Sequence, residues 1–183
     1  PYKSIAEFTP VATIGGNTQC LVVPASLPAK SLAEFVTYAK ANPKPLMRGA
    51  NNVSEDMVAG QVSSTFGLAF ERVPYKGAPQ LLPDLLEGRI QVAVLPVSAS
   101  VPHVKAGRLT MLGCSMAERI ASLPTVPTLA ESGVSAAPLI TAHFVLGPPR
   151  LPADIVDRLA LAAQQAAQSA EFRQEMERLL IVG

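Results

Sequence analysis

A strand, a turn, a helix and a second strand follow one another between residues 70 and 95, and this unit constrains the fold more than any other part of the chain. An apolar strand at 70–73 runs into a Val-Pro-Tyr-Lys-Gly turn at 73–77, and a leucine-rich helix from about 79 to 87 ends at Gly88. A buried strand at 90–95 follows at once. Strand–helix–strand units build parallel α/β sheets, and the turn after the first strand is where such sheets usually meet a small ligand.

The alternation of strands and helices continues on both sides of this unit. Strands are predicted at 21–23 and 109–114, and a helical turn is predicted at about 101–106. One helix starts at a capping box, in which the Ser31 oxygen and the Glu34 carboxylate each cap a free amide. Its apolar stripe is formed by Phe35, Val36 and Ala39. Another helix follows the polar loop 49–54 and runs from Glu55 to about Phe66. We therefore predict an α/β fold with a mostly parallel sheet and helices on both faces.

The last third of the chain has a different character. A second capping box, formed by Thr128 and Glu131, is predicted to open a short helix that Gly133 ends. A strand is predicted at 143–146. A proline-rich connector then leads to a long helix, 155–169, which Asp154 is predicted to cap, and a further helix covers 170–180. These elements no longer alternate in the pattern of the preceding sheet.

Composition disfavours two broad classes of protein. The 183 residues have a formal net charge of +1 without a basic stripe, and the chain contains no Trp and 5% aromatic residues. Nucleic acid binding is therefore disfavoured, because both a basic surface and a base-stacking platform are missing. No apolar run approaches the roughly 20 residues that a membrane helix needs. The length suits one domain or two small lobes.

The two cysteines, Cys20 and Cys114, lie far apart in apolar, strand-like stretches. There is no C-x-x-C spacing, which disfavours zinc ribbons and thioredoxin-type chemistry. Buried cysteines commonly behave as small apolar side chains, so our first interpretation is two buried free thiols. A disulfide between them is the alternative.

Sequence motifs of catalysis and metal binding are missing. The chain has no G-x-S-x-G, H-E-x-x-H, P-loop or G-x-G-x-x-G pattern. His103 and His143 have no neighbouring pattern of metal ligands. We therefore predict no catalytic residue, no metal and no cofactor. A small α/β enzyme acting on a carboxylated metabolite stays an alternative, with Lys76 as its candidate titratable group.

Six short stretches keep one order over nearly the whole chain. They are EFTPVA at 7–12, PAKSLAEF at 28–35 with YAKANP at 38–43, Ser54 with Ala59 and Gly60, VPYKG at 73–77, PHVKAGRL at 102–109 and LPTVPTLAESG at 123–133. In this order they resemble the solute-binding proteins of tripartite tricarboxylate transporters, the Bug family. The resemblance implies a two-lobed periplasmic protein that closes about a hinge on a small carboxylate or related metabolite. Such a protein delivers its ligand to a membrane permease.

The resemblance also implies a division into lobes. Residues 20–114 are expected to form lobe two, with 1–19 as the first hinge crossing and part of lobe one. Residues 115–183 are expected to form the return crossing and another part of lobe one. The chain then begins partway into the family sequence, without a glycine-rich ligand loop and without a recognisable signal peptide at Pro1. Self-association could cover an incomplete lobe one.

The candidate ligand-binding residues lie in two loops. They are Asn51, Asn52, Val53, Ser54, Tyr75, Lys76 and Gly77. Backbone amides at the helix start near Ser54 would favour a carboxylate or carbonyl oxygen, and a plain N-cap role for Ser54 is the alternative. The second loop could present donors at a strand end, or its residues could be purely structural.

Several positions depart from the family pattern. A histidine usual three residues after the serine is Met57, and an Asp-Asn-like pair is replaced by Leu95 and Pro96. Glu55 and Asp56 also add negative charge at the helix start, and a unit pair at about 4 Å repels by on the order of 1 kcal/mol in water. We therefore expect a ligand less anionic than citrate, or of a different shape. The departures also leave open a solute-binding relic that acts as an interaction or signalling module.

Overall fold

The computed structural model describes residues 4, 7–135 and 138–182. No helix in these ranges combines the length and the apolar character needed to cross a membrane. The described residues form seven strands and six helices, which are β1 Thr9–Pro24, α1 Leu32–Ala41, β2 Leu46–Ala50, α2 Val53–Phe66, β3 Phe70–Pro74, α3 Ala78–Leu86, β4 Val92–Pro96, α4 Val97–Lys105, β5 Leu109–Cys114, β6 Ile140–Gly147, α5 Ala153–Ala167, α6 Ala170–Leu179 and β7 Ile181–Val182.

The chain divides into two compact units. The larger unit comprises Thr18–Ile140, and the smaller unit comprises the residues up to Asn17 together with those from Thr141 on. Strand β1 begins in the smaller unit and ends in the larger one. In the smaller unit β7 pairs with β1 at Gly16 and Asn17. The division into lobes at 19–20 and 114–115 stays a prediction.

The sheet of the larger unit has the strand order β3-β2-β4-β1-β5. Strand β2 is parallel to both β3 and β4, whereas β1 is antiparallel to both β4 and β5. The parallel strands β2, β3 and β4 are each followed along the chain by a helix after a short connection. The α/β class predicted from the strand–helix alternation is confirmed.

The core of the larger unit is apolar and continuous. Leu21 of β1, Phe35 of α1, Val58 of α2 and Val94 of β4 all belong to it and are fully buried. The ring of Phe35 also stacks on Phe70, with centroids 6.3 Å apart. Helix α1 presents Phe35 to this core from the face that the sequence predicts.

The two cysteines form a disulfide, so the interpretation as free thiols is wrong. Cys20 of β1 and Cys114 of β5 are direct partners in the antiparallel ladder, and their Cα atoms lie 4.1 Å apart. Directly opposed residues of an antiparallel pair bring their side chains within reach of each other. Both stretches were predicted as strands, but the bond depends on their being neighbours in this register.

Two predicted helix starts differ from the structure. The box at Thr128 does form, because the Thr128 N–H donates to the Glu131 carboxylate at 2.7 Å and the Glu131 N–H donates to Thr128 Oγ1 at 3.0 Å. The segment nevertheless makes turns and reaches Gly133, at φ 88°, too soon for a helix to propagate. In α5 the N-cap is Pro152, and Asp154 lies in the first turn.

Candidate functional site

Three helices begin at one edge of the larger unit's sheet. Strands β2, β3 and β4 run in the same direction, and α2, α3 and α4 follow them after short connections. Because the carboxyl ends of parallel strands share one edge, the amino ends of these helices converge there. First-turn amides lack intrahelical partners and carry partial positive charge, so this edge favours an anionic or carbonyl oxygen.

The two loops that hold the predicted site residues are neighbours at this edge. They are the 51–54 loop, whose last two residues are the first two of α2, and the 75–77 loop, which leads into α3. Ala50 at the end of β2 is paired with Pro74 at the end of β3. The Tyr75 N–H donates to the Ala50 carbonyl at 2.8 Å, which fixes the two loops side by side. Their contact with a ligand stays a prediction.

Helix α2 is capped by Asn52. Its Oδ1 accepts from the Glu55 N–H at 3.0 Å and from the Ser54 hydroxyl at 2.7 Å. The alternative of a plain N-cap at Ser54 is therefore wrong, because Ser54 lies inside the first turn. Asn and Ser rank almost equally as caps. A stretch that contains Asn51, Asn52 and Ser54 thus does not reveal from sequence alone which residue starts the helix.

Apolar side chains are exposed beside this helix start. Val53 is the first residue of α2, and its exposed fraction is 74%. Met57 lies one turn further along and is 52% exposed. Residues four apart lie on the same helix face, so the two side chains form an apolar strip along the surface next to the 51–54 loop.

Glu55, the third residue of α2, is fully buried. Its Oε1 accepts from Asn52 Nδ2 at 2.8 Å and its Oε2 accepts from the Asn51 N–H at 3.3 Å. Burial raises the pKa of Glu55 to about 7 from its ordinary 4.5, the hydrogen bonds from Asn51 and Asn52 oppose this, and the neighbouring Asp56 charge adds to it. The carboxyl group therefore titrates near neutral pH.

Asp56 is the second acidic side chain at this helix start, and two arginines neutralise it. Arg72 of β3 binds its carboxylate through both Nε and Nη2 at 3.0–3.2 Å, and Arg48 of β2 donates at 2.6 Å. The bonds from Arg72 and then Arg48 hold the pKa of Asp56 below its usual range. Glu55 is therefore the main source of the repulsion predicted for a docking carboxylate.

The three residues of the 75–77 loop have different surroundings. The Tyr75 hydroxyl donates to Asp84 at 2.7 Å, and burial followed by this bond raises the pKa of Tyr75 to about 12. The Lys76 N–H donates to Gln80 Oε1 at 3.0 Å. The Lys76 side chain is exposed, without an ion pair among the described residues. Gly77 is the N-cap of α3 and supplies no side-chain cap.

Sequence reasoning missed the third helix start at this edge. Helix α4 begins at Val97, directly after β4, whereas the sequence suggested a helical turn only from Val101. Pro96 is its N-cap and, like Gly77, gives the first turn no side-chain hydrogen bond. The local signal for this start is weak, because the Pro96 side chain cannot cap the first-turn amides. Two of the three helix starts thus lack a side-chain cap.

A metal centre is not found in the part of the chain that the structure describes. Those residues contain no group of three His, Cys, Asp or Glu side chains placed to hold a metal ion. The chemistry available at the sheet edge is hydrogen bonding by amides, the Lys76 ammonium and the amide side chains of the 51–54 loop.

Comparison with known proteins gives the arrangement its context. A family model described as the tripartite tricarboxylate transporter family receptor matches residues 1–179. The chain belongs to this receptor family. The family resemblance predicted from the six sequence stretches is therefore confirmed, and the family and its structural neighbours are solute-binding proteins of transport systems.

Individual relatives show how much of their length the chain represents. A Cupriavidus necator protein, "UPF0065 protein in gbd 5'region", is 30% identical over 96% of the chain and 56% of its own length. R. palustris Rpa4515, solved with adipate, is 29% identical at a TM-score of 0.87 over 99% of the chain and 61% of its own. The periplasmic binding protein BugD is 19% identical at a TM-score of 0.84 over 96% and 59%, which shows the shared fold. The chain spans about half the length of the curated relatives.

Proposed function

We propose that this chain captures a small organic carboxylate outside the cytoplasm for a tripartite tricarboxylate transporter. The observation that carries the proposal is the convergence of the α2, α3 and α4 amino ends at one edge of the sheet. Membership of the receptor family supports it, and so does the adipate in the R. palustris neighbour. The proposal contains no catalytic step.

The ligand carboxylate is assigned to the two adjacent loops. Backbone amides of the α2 and α3 first turns and the side-chain amide of Asn51 donate to it, with Ser54 and the capping Asn52 beside them. The exposed Lys76 supplies a mobile positive charge at the same edge. A hydrogen bond to a charged group contributes about 1.5–3 kcal/mol, so a few such contacts are enough for micromolar binding.

The shape of the ligand follows from the apolar strip beside the site. Val53 and Met57 are exposed, and methylene groups would bury against them. One uncompensated acidic group, Glu55, penalises dense negative charge. A linear dicarboxylate with an apolar chain therefore suits this edge better than the compact trianion citrate.

The compartment and the partner are part of the proposal. The Cys20–Cys114 disulfide suits an oxidising environment such as the bacterial periplasm, where BugD is located by its description. The expected partner is the membrane permease of the transporter. Fractionation of the native host tests this placement, and recovery of the protein from the cytoplasm with both thiols reduced would contradict it.

Calorimetry and thermal shift with adipate and citrate test the binding role. They are run on this chain and on any longer protein that its gene encodes. Adipate at about 100 times its dissociation constant should add about 2.7 kcal/mol of stability. Lys76→Ala should weaken binding about tenfold or more, whereas Lys44→Ala should leave it unchanged, because Lys44 precedes β2 at the opposite edge of the sheet.

Two outcomes would reject this function. Absence of binding by every carboxylate, in the chain and in the longer protein, would contradict it directly. Conversion of a bound carboxylate at a rate that Lys76→Ala abolishes would favour the enzyme alternative instead.

A further inference from the structure

Glu55 is buried directly under the loop that leads into α2. Its side chain has no measurable exposure, although Asn52 and Val53 immediately before it are exposed. One carboxyl oxygen accepts from the Asn52 side chain and the other from the Asn51 backbone. A single buried group therefore holds both asparagines of the 51–54 loop in place.

The charged groups around Glu55 do not neutralise it. On its own helix the next residue is Asp56, which is also acidic. From β2, Arg48 faces this helix start but directs Nη2 to Asp56 at 2.6 Å, and its Nη1 is buried without a hydrogen-bond partner in the structure described. Arg72 of β3 also binds Asp56. Strand β4, which packs on α2 as well, has only apolar side chains.

We propose that Glu55 is a positioning and specificity-determining residue of the ligand site, and that it takes up a proton from solvent when a carboxylate docks at the start of α2. The inference rests on the proposed carboxylate-binding function. One O–H bond forms on the Glu55 carboxylate, and no other covalent bond changes. A protonated carboxyl group keeps acceptor capacity, so Asn51 and Asn52 stay bound in both states.

The physical reason is that two carboxylates sharing one site do not both remain ionised. A docking ligand brings a second negative charge toward a carboxyl group that burial already disfavours as an anion. Since Glu55 titrates close to neutral pH, proton uptake requires little free energy there. The result is discrimination, because an uncharged amide ligand would bind without taking up a proton.

Calorimetry with adipate between pH 6.5 and 8.5, where adipate stays a dianion, tests the coupling. Titrations in two buffers with different heats of ionisation count the protons taken up. Wild type should take up at most one proton for each adipate bound. Its affinity for adipate should fall by up to tenfold per pH unit above about pH 7. Glu55→Gln should take up none and show a flat profile. Glu71→Gln, on exposed β3, should behave as wild type.

A ligand-free measurement separates this inference from the proposed function. The Asn51 amide resonance should shift with a midpoint near pH 7 in wild type, because its N–H donates to Glu55, and Glu55→Gln should abolish the shift. A wild-type Asn51 amide that does not titrate overturns the positioning role whether or not any ligand binds, even if the variant does not fold. If Asn51 titrates but wild type and Glu55→Gln share one adipate profile, the proton coupling is overturned. If Asn51 titrates and no carboxylate binds at any pH, the proposed function fails and the coupling with it, while the positioning of the loop stands.

Discussion

The two units differ in where their apolar side chains lie. All the buried apolar side chains of the described residues, from Cys20 to Val134, belong to the larger unit. In the smaller unit Phe144, Leu159 and Leu161 are each 45–55% exposed, and α5 contains no buried residue. The larger unit therefore has an apolar core that can specify its fold, whereas the helices and strands of the smaller unit bury little apolar surface.

The smaller unit also contains an open apolar groove. Its volume is about 460 Å³, and its lining includes Val11 of β1, Val145 of β6, Ala163 of α5 and Phe172 of α6. Close packing leaves few spaces of this size inside a stable core. Elements with few buried contacts open at low free energy, so truncation of an apolar side chain should cost much less stability in the smaller unit than in the larger one.

Truncation of one phenylalanine in each unit should show the largest contrast. Phe35→Ala removes a fully buried ring from the larger core and should lower the free energy of unfolding by about 3–5 kcal/mol. Phe144→Ala removes a half-exposed ring from the smaller unit and should lower it by less than about 1 kcal/mol. Urea unfolding followed by circular dichroism measures both. Equal losses for the two variants would show that the smaller unit has a core after all.

Elements that carry a strong local pattern could be predicted from sequence. Helix α1 has a capping box and an apolar stripe that agree, and the Glu34 N–H does donate to Ser31 Oγ, at 3.2 Å. Strands β3 and β4 and helix α3 carry local patterns strong enough to locate them. At Thr128 the local box forms as well, yet no helix follows. A hydrogen-bonded cap starts a helix only where enough residues remain to propagate it.

The site was harder to predict because it depends on neighbours distant in sequence. The 75–77 loop was indicated by the strand–helix–strand pattern and both loops by the family resemblance, and their adjacency follows once β2 and β3 are parallel. The disulfide was missed because it requires the β1–β5 register. The burial of Glu55 and the neutralisation of Asp56 by Arg48 and Arg72 were also missed. Nothing in the sequence near 55–56 indicates that two arginines from different strands bind the Asp56 carboxylate and not the Glu55 carboxylate.

Loss of the disulfide should have the next largest effect, and it should fall on the larger unit. The bond joins residues separated by 94 positions, and a native disulfide typically contributes about 2–4 kcal/mol by restricting the unfolded chain. Replacing both Cys20 and Cys114 by Ala should lower the unfolding free energy by this amount. Adding a reductant should destabilise wild type similarly and leave the double variant unchanged. A wild type whose unfolding is insensitive to a reductant that has reduced the bond would contradict this prediction.

Titration of Glu55 should make the larger unit less stable as pH rises from about 5 to 8. The unfolded chain releases this proton near pH 4.5 and the folded chain near pH 7. The stabilisation is therefore complete below pH 4.5 and is lost as pH rises through 7. A shift of this size corresponds to about 3 kcal/mol at most. Urea unfolding at a series of pH values measures it.

Two variants isolate this effect. Glu55→Gln should flatten the dependence between pH 5 and 8, and Glu71→Gln should preserve it. The lowered pKa of Asp56 acts in a separate window, since its stabilisation is present above its ordinary pKa of 3.8 and is lost only as pH falls below that. If the stability of wild type rose between pH 5 and 8, this prediction would be wrong, because a buried Glu55 makes the folded state favour the protonated carboxyl group.

A small effect, of about the size expected for Phe144→Ala, should come from a polar contact in the smaller unit. The Thr9 hydroxyl donates to the Pro148 carbonyl at 2.8 Å and accepts from the Leu151 N–H at 3.2 Å. Thr9→Val keeps the shape of the side chain and removes both bonds, which should cost about 1 kcal/mol. Because the smaller unit buries little apolar surface, such contacts hold its segments together, and amide hydrogen exchange at 148–151 should accelerate. Exchange in the larger core should stay unchanged in Thr9→Val. It should also stay unchanged in the control variant Thr37→Val on α1, because the Thr37 hydroxyl bonds within its own helix. If Thr9→Val also accelerated exchange around Phe35, the two units would unfold together, and the contrast in burial would not correspond to a contrast in stability.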